Sequence, residues 1–135
     1  MRHLLPTQAW ALLQDAQAQG GQPALFVDVR MEIEFIYVGH PAGAENIPWY
    51  EYPDMTPDPA AFVAAVEREA GSRQRTVVLI CRSGKRSTDA ARALEAAGFS
   101  DLVNVVHGFE GELDDTFKRS RISGWRFDGL PWEQM

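Results

Sequence analysis

Thr76-Val77-Val78-Leu79-Ile80-Cys81-Arg82-Ser83-Gly84-Lys85-Arg86-Ser87 is the stretch on which the reading of this chain turns. Its first five residues are β-branched or apolar without interruption, which predicts a strand buried on both faces, as in parallel sheets. Ser83 and Gly84 break the run. From about Ser87 to Ala97 the pattern becomes helical, with Ala90, Ala91, Leu94 and Ala97 on one face and Gly98 as the stop. A strand passed directly to a helix predicts an α/β layer architecture with a mainly parallel sheet.

The same alternation repeats on either side. Ala24 to Val29 is a short apolar run, Ala44 to Ile47 a shorter strand closed by Pro48, and Leu102 to Val106 another buried strand. Pro6-Thr7 opens a helix over Gln8 to Ala18 that stops at Gly20-Gly21, and Asp58 caps a helix from Pro59 to Ala70 that ends at Gly71. Glu32 to Val38 predicts a brief amphipathic helix before Gly39, and Gly108 to Lys118 a further one. Trp49 to Pro59 carries Pro53, Pro57 and Pro59 and reads as a surface loop anchored by Trp49, Tyr50, Tyr52 and Met55. The tail aromatics Trp125, Phe127 and Trp132 are expected to pack back on the domain; exposed, they would mark a partner or dimer surface.

With 135 residues, 45% of them apolar, there is enough for one core and no linker or repeat to divide it, so residues 1–135 are expected to form one domain. Thirteen Lys+Arg against 19 Asp+Glu leave a net charge of −6, which argues against a surface that tracks nucleic acid or anionic lipid. Any anion site must be local. No apolar run approaches the roughly 20 residues that span a bilayer. Ala16-Gln17-Ala18 has the look of a cleavage site, but Pro6, Thr7 and Gln8 interrupt the apolar stretch before it. The segment therefore reads as a helix and not a signal peptide, with a cytoplasmic location expected. A single cysteine permits neither an internal disulfide nor a Cys-rich zinc site, and His3, His40 and His107 lack metal-ligand spacing, so no metal is expected.

Cys81 falls where a central strand should deliver its carboxyl end, just before a helix. Its sulfur would then face unpaired backbone N–H groups and the positive end of a helix dipole, which favour a thiolate. Gly84 permits a positive φ that turns consecutive amides inward as an anion-binding nest. Cys81 to Ser87 contains three cations, Arg82, Lys85 and Arg86, and no acid, which suits a small anionic substrate. A buried cysteine acting as apolar filler would need no such flanks.

These residues form a recognisable order. Asp28-Val29-Arg30, Gly39-His40-Pro41-Ala42-Gly43-Ala44 with Asn46-Ile47-Pro48, Cys81-Arg82-Ser83-Gly84-Lys85-Arg86-Ser87 and Gly108-Phe109-Glu110-Gly111 together resemble the signatures of a single-domain rhodanese, over most of the chain. The resemblance implies a single rhodanese-like domain with a five-stranded parallel sheet flanked by helices on both faces, acting as a thiosulfate sulfurtransferase. It implies that Cys81 takes the outer sulfur of thiosulfate, carries it as a persulfide and yields it to cyanide or a thiol. The loop from Arg82 through Ser83, Gly84, Lys85 and Arg86 to Ser87 would bind the donor, with no cofactor.

Other readings compete. A Cys-dependent phosphatase or arsenate reductase resembles Cys, five residues, then Arg; here four residues separate Cys81 from Arg86, a ring expected to be too tight for a tetrahedral oxyanion. A protein-to-protein sulfur carrier would use a protein acceptor, and a non-enzymatic regulatory rhodanese-like module would need no cysteine. Around the loop, Asp28 and Arg30 follow a strand and could brace the site or form an ordinary ion pair. His107 could be a general base or a polar strand-end residue facing water. It stands where the family often has glycine.

Overall fold

The structure, a computed structural model, describes residues 1–15 and 22–135. Five strands, β1 (Arg2–Leu4), β2 (Leu25–Asp28), β4 (Glu45–Asn46), β5 (Val77–Ile80) and β6 (Leu102–Val105), form one sheet in the order β1-β6-β5-β2-β4. Every pairing is parallel. A separate antiparallel pair joins β3 (His40–Pro41) to β7 (Trp132–Glu133) near the carboxyl terminus. The expected five-stranded α/β sheet is therefore present, and β5 lies at its centre because its four residues, Val77 to Ile80, are buried on both faces.

The two faces of the sheet are covered differently. Helices α2 (Pro59–Ala70) and α3 (Lys85–Ala96) pack on one face, where Phe62, Val66, Ala90, Ala91 and Leu94 meet Val77 and Leu79. On the other, α1 (Pro6–Gln14) brings Ala9 against Ile80, Val103 and Val105, and the tail contributes the fully buried Trp125. Alternate residues of β5 thus feed two cores, as the period-two geometry of a strand demands. Trp125 packs edge-on against Trp10, with ring centroids 5.9 Å apart, so the tail does fold back there. Phe127 and Trp132 stay largely exposed, although Trp132 still covers Phe109.

Several boundaries differ from the sequence reading. β1 was not among the expected strands; three residues are too few to show a period, and only pairing with β6 reveals it. Helix α1 ends at Gln14, short of the expected Ala18, because Asp15 leaves the helical region at φ −102°, ψ 81°; the expected stop at Gly20-Gly21 lies outside the described residues. Glu32 to Val38 is helical as expected, but Glu34–Val38 winds as a π turn. In the Trp49 to Pro59 loop, Trp49 is a buried anchor against Phe62, whereas Tyr52 and Met55 are exposed.

The expected helix from Gly108 to Lys118 is absent: the segment is a series of turns. His107, Gly108, Gly111 and Phe117 all take positive φ, which no right-handed helix can absorb. Its amides are used elsewhere. Phe109 N–H donates to the Cys81 carbonyl at 2.8 Å and Glu110 N–H to the Arg82 carbonyl at 2.9 Å. A Cβ on Gly108 would lie 2.5 Å from the Cys81 carbonyl oxygen, so only glycine allows this approach. The segment is a clasp behind the cysteine loop.

Candidate active site

The carboxyl end of β5 delivers Cys81 to the floor of a cavity of about 300 Å³. Trp49, Tyr50 and Pro57 wall one side, and Arg82, Ser83, Lys85, Arg86 and Asp89 complete the lining. The residue is 1% exposed and belongs both to the apolar core and to the lining of the cavity. The loop turns as its sequence requires: Gly84 takes φ 111° immediately before α3. That turn points its N–H at Cys81 Sγ, 3.1 Å away. Ser87 Oγ approaches the same sulfur at 3.3 Å. The first N–H groups of α3 have no intrahelical acceptors and add partial positive charge at this end. This is a surround for a sulfur anion.

The three loop cations separate into two kinds. Arg86 forms a bidentate pair with Glu34, NH1 to Oε1 at 2.7 Å and NH2 to Oε2 at 3.0 Å, and lies over the Tyr50 ring. Burial alone would push the Glu34 carboxyl up, but the hydrogen bonds and charge of Arg86 outweigh it and hold Glu34 below its ordinary range. The same pair acts in reverse on Arg86: burial favours the neutral form, yet Glu34 and, more weakly, Tyr50 and Cys81 hold the guanidinium firmly charged. Arg82 and Lys85 are exposed, and among the described residues neither is closed in an ion pair.

Glu34 escaped the sequence reading. An acid-free loop with three cations signals that a partner must come from elsewhere, but nothing in the sequence singles out one carboxylate from the 19 present.

Asp28 and Arg30 are both 0% exposed and bonded to each other, with NH2 to Oδ2 at 2.7 Å and Nε to Oδ1 at 2.9 Å. Arg30 also donates to the Gly39 carbonyl at 2.6 Å and lies 4.6 Å from the centroid of Phe109. They do not line the cavity. Their reach to the cysteine loop is indirect, through Phe109, whose amide holds the Cys81 carbonyl. His107 is likewise absent from the lining; its half-buried ring turns toward Glu112, 3.9 Å away. His40 is stacked on Phe35 at 3.8 Å and donates from Nδ1 to the Phe35 carbonyl, which makes it part of the frame.

Comparison with known proteins agrees with this architecture. A family model for the rhodanese-like domain matches residues 5–113. Thiosulfate sulfurtransferase 16, chloroplastic, of Arabidopsis thaliana is 31% identical over 108 residues, which are 78% of this chain and 77% of that protein. An uncharacterized protein of Rickettsia conorii is 35% identical over 57 residues, 42% of this chain; the match spans only 41% of that protein's length. The crystal structure of Rv0390 from M. tuberculosis superposes with a TM-score of 0.80 at 34% identity, covering 100% of this chain and 98% of the other. With the cysteine loop, the clasp behind it and the parallel sheet in place, the chain belongs to the rhodanese-like domain family.

Proposed function

We propose that this protein is a sulfurtransferase that moves a sulfane sulfur from thiosulfate, through a persulfide on Cys81, to a thiophilic acceptor such as cyanide or a thiol. The observation that carries this reading is the Gly84 amide, aimed at Cys81 Sγ from 3.1 Å on the floor of a cation-rimmed cavity. Arg82 and Lys85 draw the dianion in. The Cys81 thiolate attacks the outer sulfur of thiosulfate; the S–S bond of the donor breaks, and its electron pair leaves with sulfite. The persulfide retains one negative charge, which the Gly84 N–H and the amino end of α3 stabilise. Cyanide then attacks the outer sulfur, takes it as thiocyanate and returns the thiolate. No proton, metal or organic cofactor enters either step.

The six-residue span from Cys81 to Arg86 supports sulfur over phosphorus chemistry, because the ring is small for an oxyanion with four oxygens. A protein thiol as acceptor is favoured by one feature. The exposed Ile33 and Tyr52 line a hollow with Met31, and both lie within two residues in the chain of Glu34 and Tyr50, which meet Arg86 at the site. No helix among the described residues is long and apolar enough to cross a membrane. A lone thiol as the working group fits the reducing cytoplasm. The test is thiocyanate formation from thiosulfate and cyanide: the wild type turns over and Cys81→Ser does not. Equal rates for the two would overturn the reading.

A further inference from the structure

A line of polar side chains runs from the sulfur to the edge of the sheet. Ser87 Oγ lies 3.3 Å from Cys81 Sγ and donates to Asn104 Oδ1, and Asn104 Nδ2 lies 3.2 Å from His3 Nδ1. Ser87 and Asn104 are buried, while His3 is exposed on β1, the edge strand, directly opposite Asn104 in the register. An imidazole in contact with solvent therefore connects to the sulfur through two buried side chains.

Hydrogen counting gives this line two states. Ser87 has one hydroxyl hydrogen, the Asn104 carboxamide has donors at one end and lone pairs at the other, and neutral imidazole has one of each. When His3 Nδ1 is unprotonated it accepts from Asn104 Nδ2, the Asn104 oxygen faces Ser87, and the Ser87 hydrogen is held away from the sulfur. Doubly protonated His3 can only donate. The carboxamide then turns end over end, its NH2 faces Ser87 Oγ, and the Ser87 hydrogen is released toward Sγ or the Gly84 carbonyl, 3.2 Å away. An ionised sulfur is the stronger acceptor of the two.

We propose that His3 is a positioning residue for Cys81, its protonation turning the Ser87 hydroxyl, by way of Asn104, into a hydrogen-bond donor to the ionised sulfur. By reciprocity, an ionised Cys81 favours protonated His3. The neighbouring charges are accounted for. Helix α1 brings none over Pro6–Gln14. The Met1 ammonium pairs with Glu95, Arg2 with Asp101, Arg92 with Asp89, Arg86 with Glu34 and His107 with Glu112; Lys85 lines the cavity. None of these pairs includes Ser87 or Asn104.

The proposal rests on Cys81 being the reactive thiol but not on sulfur transfer, so the test uses no sulfur donor and the two readings can fail separately. The rate of Cys81 alkylation by iodoacetamide is measured on the full chain between about pH 5 and 8, where histidine titrates. Each variant is normalised to its own alkaline plateau. At the acid end His3→Met, whose thioether can accept but cannot donate, is expected to react roughly tenfold more slowly than wild type, the effect of one hydrogen bond to a charged acceptor. Superimposable normalised profiles would overturn the proposal. A role in folding alone would change stability and leave that profile in place. Asn104→Ala should copy His3→Met; should it fail to fold, a second measurement stands on the unmutated chain. Capping Cys81 as its neutral methyl disulfide should move the NMR titration of the His3 ring to lower pH, and an unmoved midpoint contradicts the coupling.

Discussion

Cys81 occupies a position that serves packing and chemistry together: it is nearly enclosed, it lines the cavity, and its sulfur accepts from Gly84. Serine fits the same space and can use the same partners, so Cys81→Ser should abolish persulfide formation while changing unfolding free energy by less than about 1 kcal/mol. Chemical denaturation checks the second half, and a large loss of stability would mark the thiol as filler. The neighbouring cations should divide as their contacts do. Arg82→Ala and Lys85→Ala should raise the KM for thiosulfate several-fold with thermal stability unchanged. Arg86→Ala should do the same and also lower stability, because it leaves Glu34 half-enclosed without its partner.

The Glu34–Arg86 pair ties the π turn to the first turn of α3, and its sign with pH follows from the direction of the Glu34 shift. A carboxyl held below its ordinary value of 4.5 contributes stability that is present above that value. The contribution disappears as pH falls through the lower value of the folded state. Glu34→Gln should therefore be less stable than wild type at pH 7, by about 2 kcal/mol for a partly enclosed bidentate pair. The gap should close below pH 4.5, a trend that melting curves across the acid range would show. A gap independent of pH would contradict the assignment. At the clasp, Gly108→Ala should cost about 3 kcal/mol, since a Cβ there meets the Cys81 and Arg82 backbone and the φ is left-handed. These elements also show what a sequence can and cannot reveal. Strand β5, the cysteine loop and α3 were legible because their signals are local: a β-branched run, a glycine turn and a helical repeat. The sequence of the clasp suggests a helix because Phe109, Leu113 and Phe117 recur at a helical spacing. Its true constraint is a pair of carbonyls more than twenty residues earlier in the chain. Glu34, Asn104 and the strand β1 were invisible for the same reason, as each acquires its role only by pairing across the sheet or the cavity.

At the scale of the whole molecule, the −6 net charge and the cation-rimmed cavity oppose each other. On the proposed function, the loop cations would offset that field for a dianionic donor at the cavity. The carboxyl-terminal strap belongs to this level as well. Gln134 Nε2 donates to the Tyr37 carbonyl at 2.8 Å, the Met135 amide to the Ile36 carbonyl at 3.2 Å, and β7 pairs with β3. The strap thus closes the end of the π turn that carries Glu34. Ending the chain after Leu130 should lower the melting temperature by several degrees and raise the KM for thiosulfate together, and a change in only one would separate the strap from the site. The central claim, that Cys81 carries sulfur, is tested most directly by intact-mass spectrometry after incubation with thiosulfate. The account predicts that the folded wild type gains the mass of one sulfur atom, that cyanide removes it, and that Cys81→Ser gains nothing. A folded wild type that shows no adduct, or an adduct retained by Cys81→Ser, would contradict it.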